Sequence, residues 1–203
     1  MFARIATIED MYQVYKLTHD MYVVEGYIKP QPSGILQHYK HLDYIPETTV
    51  LVIDDNGNII GTNSLTFDGP NKLHVDEDFP EEVEKVRQEC KITGKNLVAS
   101  WRIITHLQTR NSLHIIIELI NATMEIGIKN HAHVWLFSFN PKHERIYKRL
   151  LDLTTIATTN NYTTVSAPGV LMRGESEKMI YKWKIFCKKR NIVENLDVRN
   201  IQL

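Results

Sequence analysis

Residues 97–150 constrain this chain more than any other stretch, because they read as strand, helix, strand, helix. Residues 97–104 mix β-branched and aromatic side chains with Arg102 among them. In residues 112–129, Leu113, Ile116, Ile117, Ile120 and Met124 recur at spacings of three and four, the mark of one apolar helix face. Residues 133–139 are strongly β-prone. They end at Asn140-Pro141, and proline suits the first turn of a following helix. That helix carries Ile146, Tyr147, Leu150 and Leu151 with Lys142, Arg145, Lys148 and Arg149 around them. Such an order predicts an α/β fold in which two parallel strands are joined by a right-handed crossover. Ligands of open α/β sheets bind at the carboxyl ends of the strands, which puts residues 105–111 and 139–141 beside any site.

The remaining chain adds elements on both sides. Residues 8–25 carry an apolar and aromatic stripe (Met11, Val14, Tyr15, Met21, Tyr22) and read as a helix stopped by Gly26. Residues 27–34 hold two prolines and a glycine and read as a loop, either a lid over a site or a plain surface connection. Residues 48–54 and 59–67 flank Asn56-Gly57, a strong hairpin signal. A short charged helix is expected over 80–90. Residues 154–159 and 162–165 read as a second hairpin about Asn160-Asn161, followed by a strand over 169–172 and a helix over 175–189. The 203 residues are expected to form a single domain, residues 1–203, large enough to bury about 70% of the unfolded surface.

Lys plus Arg and Asp plus Glu both number 24, so overall charge makes no case for nucleic acid. The balance is uneven locally: residues 76–84 hold six acids, while 142–149 and 178–190 are basic. Cys90 and Cys187 lack metal-ligand and CxxC spacing and read as reduced thiols. With no apolar run near 18 residues and no signal-peptide pattern, a cytoplasmic protein without an integral membrane segment is expected. The sequence holds no nucleophile elbow, P-loop, GxGxxG or HExxH. His131 and His133 would share a strand face, but no third ligand accompanies them and no metal site is expected.

Several stretches resemble the GNAT acyltransferase superfamily, and within it the N-acyl amino acid synthases and acyl-homoserine-lactone synthases. They are residues 14–28 (VYKLTHDMYVVEGYI), 61–65 (GTNSL) with 75–80 (VDEDFP), 100–104 (SWRII), 140–150 (NPKHERIYKRL) and 167–172 (APGVLM). The resemblance implies a mixed central sheet, flanked by helices, whose two central parallel strands splay apart to admit the pantetheine arm of an acyl donor. Arg102, Ile103, Ile104, Thr105 and His106 would offer backbone groups to that arm, Asn140 would contact it, and Arg110, Asn111 and Ser112 would meet its phosphate. It implies amide formation by direct attack of an amine on a thioester, with Tyr147 as the acid for the leaving thiolate and Arg102 and Glu25 as further catalytic candidates. Glu118 is a second possible base. Tyr27, Trp101, Trp135, Phe137 and Phe139 are candidates for the substrate-binding wall, and equally good core residues.

Two departures shape the expected donor and base. GNAT enzymes that use coenzyme A carry a glycine-rich turn for the pyrophosphate, whereas residues 108–113 (QTRNSL) have no glycine. That fits an acyl carrier protein, whose acidic surface Arg110, Lys142, Arg145, Lys148 and Arg149 would meet. Ala99 stands where the synthases tend to have a carboxylate, and Asn63 or Ser64 where they have an arginine. The expected activity is therefore N-acyl transfer, of a fatty group, from a 4'-phosphopantetheine or coenzyme A thioester to a small amine, with no tightly bound cofactor. An acetyl-coenzyme A N-acetyltransferase and a catalytically degenerate binding protein of the same fold are the alternatives.

Overall fold

The computed structural model describes residues 2–106 and 112–192. Its elements are β1 (Ala3–Ile5), α1 (Met11–Val24), β2 (Thr48–Asp55), β3 (Asn58–Phe67), α2 (Pro80–Thr93), β4 (Asn96–Thr105), α3 (Ser112–Lys129), β5 (Ala132–Phe139), α4 (Glu144–Leu151), β6 (Thr154–Thr159), β7 (Gly169–Glu175) and α5 (Ser176–Arg190). The strands form one mixed sheet in the order β1-β2-β3-β4-β5-β7-β6. Its neighbours are antiparallel except β4 and β5, which run parallel through the α3 crossover.

Each boundary has a local cause. Asn56 and Gly57 turn the β2–β3 hairpin with φ of 53° and 84°, the positive values a type I′ turn requires. Pro80 opens α2, and Gly94 closes it with φ of 65°. Asp10 ties β1 to the start of α1, accepting from both Arg4 guanidinium nitrogens at 2.6 and 2.9 Å and from the Thr7 amide at 2.7 Å.

The helices cover both faces. Against one face α3 and α5 bury Ile117, Ile120, Met124, Met179 and Trp183 over Val98, Trp135 and Phe137. Gly127 lets α3 lie directly on the Trp135 indole, because a Cβ there would meet its ring at 2.2 Å. Against the other face, α1 packs Met11, Val14 and Leu17 on Val50, Val52 and Ile104, and α2 packs Val83 and Val86 near Ala99, Val134 and Leu136.

One expectation is corrected and one element is added. Residues 162–165 form no strand; β6 pairs instead with β7, from Thr154↔Arg173 to Thr159↔Gly169. Tyr162 folds inward over Gly169, whose missing Cβ makes room, and Asp78 accepts from the Thr163 amide at 2.6 Å and its hydroxyl at 2.8 Å. The β-branched run is thus spent on a capped loop. In addition, residues 3–5 add an edge strand too short for any periodic pattern to reveal.

The register of the central strands matters most. β4 and β5 pair from Asn96↔Ala132 only as far as Ser100↔Phe137, while β5 continues along β7 to Phe139↔Val170. Opposite β3, Ser64 faces Trp101 and Thr62 faces Ile104, so Asn63 is met by both Arg102 and Ile103. Arg102 lies in the left-handed region at φ 57°, a β-bulge that bends β4 away from β5. For a non-glycine residue that conformation costs about 1 kcal/mol.

Candidate active site

The bulge places two consecutive side chains, Trp101 and Arg102, on the α1 side of the sheet. There the guanidinium stacks 4.2 Å above the Trp101 indole and donates to Asp43 Oδ1 at 2.6 Å and to the His38 carbonyl at 3.2 Å. Both charged side chains of this pair are fully buried. Arg102 Nε and Nη1 and Asp43 Oδ2 have no hydrogen-bond partner. Burial pushes the Asp43 carboxyl above its ordinary range, opposed by the adjacent Arg102 charge.

Beyond the last β4–β5 pair, the strand ends border a cavity of about 90 Å³, the more polar of two at the parting. Its wall includes Tyr27, His38, His74, Trp101, Ser138 and Asn140. On the opposite face of the sheet lies a smaller apolar cavity of about 20 Å³, walled by Ile103, Trp135, Phe137, Tyr147 and others. Phe139 lines both cavities and so stands at the junction between them. The apolar cavity has one polar corner, where Asn63 Nδ2 donates to Ser100 Oγ at 3.1 Å and to Thr123 Oγ1 at 2.6 Å.

The expected site residues divide between these places. Tyr147 stacks on Phe139 at 4.0 Å between ring centroids, and burial pushes its phenol up to about 12. Trp135, Phe137 and Phe139 continue that stack along β5. Asn140 caps the turn Pro141–His143 by accepting from the Lys142 amide at 3.1 Å. Tyr27 reaches the polar cavity from the loop after α1, anchored where its carbonyl accepts from the Ser166 amide at 3.0 Å. Ile104 packs towards α1, Thr105 faces Gly61 on β3, and the His106 amide donates to the Ile60 carbonyl at 2.9 Å. Glu25 is exposed and ion-paired with Lys142, and neither it nor Glu118 lines either cavity. Ser112 begins α3; Arg110 and Asn111 lie outside the described residues. Arg145 and Arg149 border an open groove between α4 and α5, with Lys182, Lys189 and Arg190 opposite, whereas Lys148 is paired with Glu144 at 2.6 Å.

Sequence reasoning missed His38, Tyr39, His74, Ser138 and Tyr162, which come from four separate segments and share no spacing. His74 begins a single helical turn, His74–Asp76, and its ring packs on the Trp101 indole at 5.6 Å. Burial, with the charge of Arg102 and the neighbouring His38, pushes His74 down to about 3. His38 is held down to about 3 by burial and Arg102.

A pH prediction follows from His74. The unfolded chain takes up its proton near 6.5 and the folded protein only near 3. Its contribution to stability is complete above pH 6.5 and declines as pH falls towards 3, at about 1.4 kcal/mol per pH unit. Urea titrations between pH 7 and 4 are expected to show the combined slope of His74 and His38, and His74→Asn to remove about half of it.

A central parallel pair parted beyond a bulge, with cavities on both faces at the parting, defines a GNAT-type acyltransferase. The chain belongs to the family of the N-acyl amino acid synthase FeeM, whose profile matches residues 13–175. It is therefore an N-acyltransferase. Among solved structures, FeeM itself, from uncultured soil microbes, superimposes with a TM-score of 0.76 at 22% identity, covering 90% of this chain and 99% of FeeM. The AHL synthase LasI gives 0.65 at 15% identity over 90% and 93% of the two chains. The CoA-dependent acyl-homoserine lactone synthase BjaI, solved with MTA, gives 0.65 at 13% identity over 97% and 91%. No curated protein matches the chain by sequence. Among the described residues no helix is long and apolar enough to cross a membrane.

Proposed function

We propose that this enzyme transfers a fatty acyl group from the 4'-phosphopantetheine thioester of an acyl carrier protein to the amine of an amino acid or a similar small acceptor. One observation carries the reading: β4 and β5 stop pairing after Ser100 and Phe137, and a cavity of different polarity opens on each face there. The donor arm runs between the strands, pairing with backbone groups of residues 102–106 and touching Asn140. Arg110, Asn111 and Ser112 hold its phosphate. The thioester carbonyl lies by amides of β4 beyond its last pair with β5, which stabilise the oxyanion as the amine attacks. The acyl chain enters the apolar cavity beside Trp135, Phe137 and Phe139. The acceptor occupies the polar cavity beside Trp101 and Tyr27, with Arg102 positioning Trp101. Tyr147 stabilises and protonates the departing thiolate. Glu25 acts through its pair with Lys142, at the surface where the carrier docks. The cations Arg110, Lys142, Arg145, Lys148 and Arg149 attract the carrier's acidic surface.

The small apolar cavity favours a second reading. At about 20 Å³ it holds little more than one water-sized group, so a long chain enters only by displacing side chains such as Met124. An acetyl donor needs no such movement. Incubation with acetyl, octanoyl and palmitoyl carrier protein, and with the matching coenzyme A thioesters, over a pool of amino acids separates the two. Mass spectrometry is expected to find long-chain N-acyl amino acids formed fastest from the carrier protein. Acetylation from coenzyme A alone would establish the second reading, and release of no thiol from any donor would defeat both.

A further inference from the structure

Amide formation requires a group that accepts a proton from the attacking nitrogen, and the polar cavity narrows the choice. Among the described residues no carboxylate lines it, and the bases that do are His38 and His74. Arg102 is sealed against Asp43 and cannot accept. Both ring nitrogens of His38 have neighbours, Thr164 Oγ1 at 2.7 Å and the Tyr22 hydroxyl at 3.5 Å. His74 differs. Its Nε2 meets Ser138 Oγ at 3.1 Å, and its buried Nδ1 has no partner. An orphaned buried nitrogen in a cavity wall is a place for a ligand group to complete the bonding.

The ring is also held where the strands part. It stacks on Trp101 of β4 and hydrogen-bonds Ser138 of β5, so it bridges the mouth of the opening. Tyr39 meets it edge-on at 5.4 Å. The turn that carries it is fixed by Asp76, which accepts from the Leu73 amide at 2.9 Å and from Arg87 at 2.7 Å. Arg87 in turn is clamped by Asp68 and Glu84. The charged and titratable groups around the ring are Arg102, His38, Tyr39 and Tyr162, with Asp76 engaged by Arg87 and with Glu77 and Asp78 just beyond.

We propose that His74 is the catalytic base of the reaction, taking at Nδ1 the proton that the acceptor amine loses on attacking the thioester. The inference rests on the acyl-transfer reading above. In the step, the amine lone pair forms a C–N bond to the thioester carbon, and the carbonyl electrons move to oxygen. The nitrogen proton passes to Nδ1. The carbonyl then re-forms, and the C–S bond breaks with its electron pair going to sulfur. The thiolate takes a proton from Tyr147, and solvent carries the imidazolium proton back to the Tyr147 phenolate, leaving amide and thiol with both side chains restored. At neutral pH the ring is unprotonated and so able to accept, and the acidity of its protonated form favours return of the proton to solvent after each turnover.

Acyl transfer from octanoyl-carrier protein is to be followed against pH for the wild type, His74→Gln, His74→Ala and Ser138→Ala. In His74→Gln we expect kcat to fall about a hundredfold or more with the KM for the carrier unchanged. The deficit should shrink as pH rises and hydroxide replaces the base. Added imidazole should restore part of the rate in His74→Ala. Ser138→Ala, which keeps the fold and frees the ring to turn, should lose roughly tenfold in kcat. Wild-type kcat in His74→Gln, or a deficit constant with pH and untouched by imidazole, overturns the inference while leaving the acyl-transfer reading intact. Should the His74 variants fail to fold, an unchanged kcat in Ser138→Ala overturns it. A wild type that forms no amide overturns both.

Discussion

Asp43→Ala is expected to lower the stability of the folded protein by about 3–5 kcal/mol, because it strands the Arg102 guanidinium as an uncompensated buried charge. Neither side chain of this pair reaches solvent, and the bond between them is the one that balances charge inside the bulge. Equilibrium urea unfolding at pH 7 measures the loss. The double replacement Asp43→Leu with Arg102→Met is expected to recover most of it, since removing both charges removes the desolvation penalty as well. A loss below about 1 kcal/mol in Asp43→Ala would mean that water reaches the guanidinium, as it reaches most ion pairs of small worth.

Tyr147→Phe is expected to lower kcat about a hundredfold at an unchanged KM for the carrier protein, with stability near that of the wild type. The ring keeps its stack on Phe139, so the hydroxyl alone is tested. Burial keeps the phenol protonated through the physiological range, with its titration near 12. It therefore has a proton to offer the sulfur as charge develops there. Steady-state kinetics with a natural thioester and with one whose thiol is more acidic supply the check. The variant should recover most of its rate with the better leaving group, and an equal deficit with both donors would remove Tyr147 from the leaving-group step.

The parts of the fold that obey a period were legible. The α3 stripe, the β-rich runs at 97–104 and 133–139, and Asn56-Gly57 each signal one conformation through short-range physics, and the α3 bounds coincide with expectation. Residues 162–165 failed because β-branching is a weak preference that tertiary contacts override: Tyr162 packs over Gly169 and Asp78 accepts from the backbone and side chain of Thr163. The bulge was invisible as well. Nothing in Ser100-Trp101-Arg102 announces a left-handed arginine; the conformation is held by Asp43, 59 residues away. The same holds for the polar cavity. Of its lining, Asn140 was suggested by likeness to a motif and Phe139 as a wall candidate, whereas His74 and Ser138 stand 64 residues apart and meet only through the topology. Glu25 shows the converse: a carboxylate placed near the expected loop pairs outward with Lys142.

The parting of β4 and β5 has a consequence beyond catalysis. From Trp101 onward, a strand at the centre of a seven-stranded sheet has no ladder partner on its β5 side, as a peripheral strand has none on its outer side. Peripheral strands of that kind recruit foreign chains and seed aggregation. Here the unladdered side of β4 lies inside the sheet, with Phe139 and a cavity on each face beside it, and not at the rim. An interior edge of this kind is out of reach of a second copy's strand while remaining a template for backbone-like pairing.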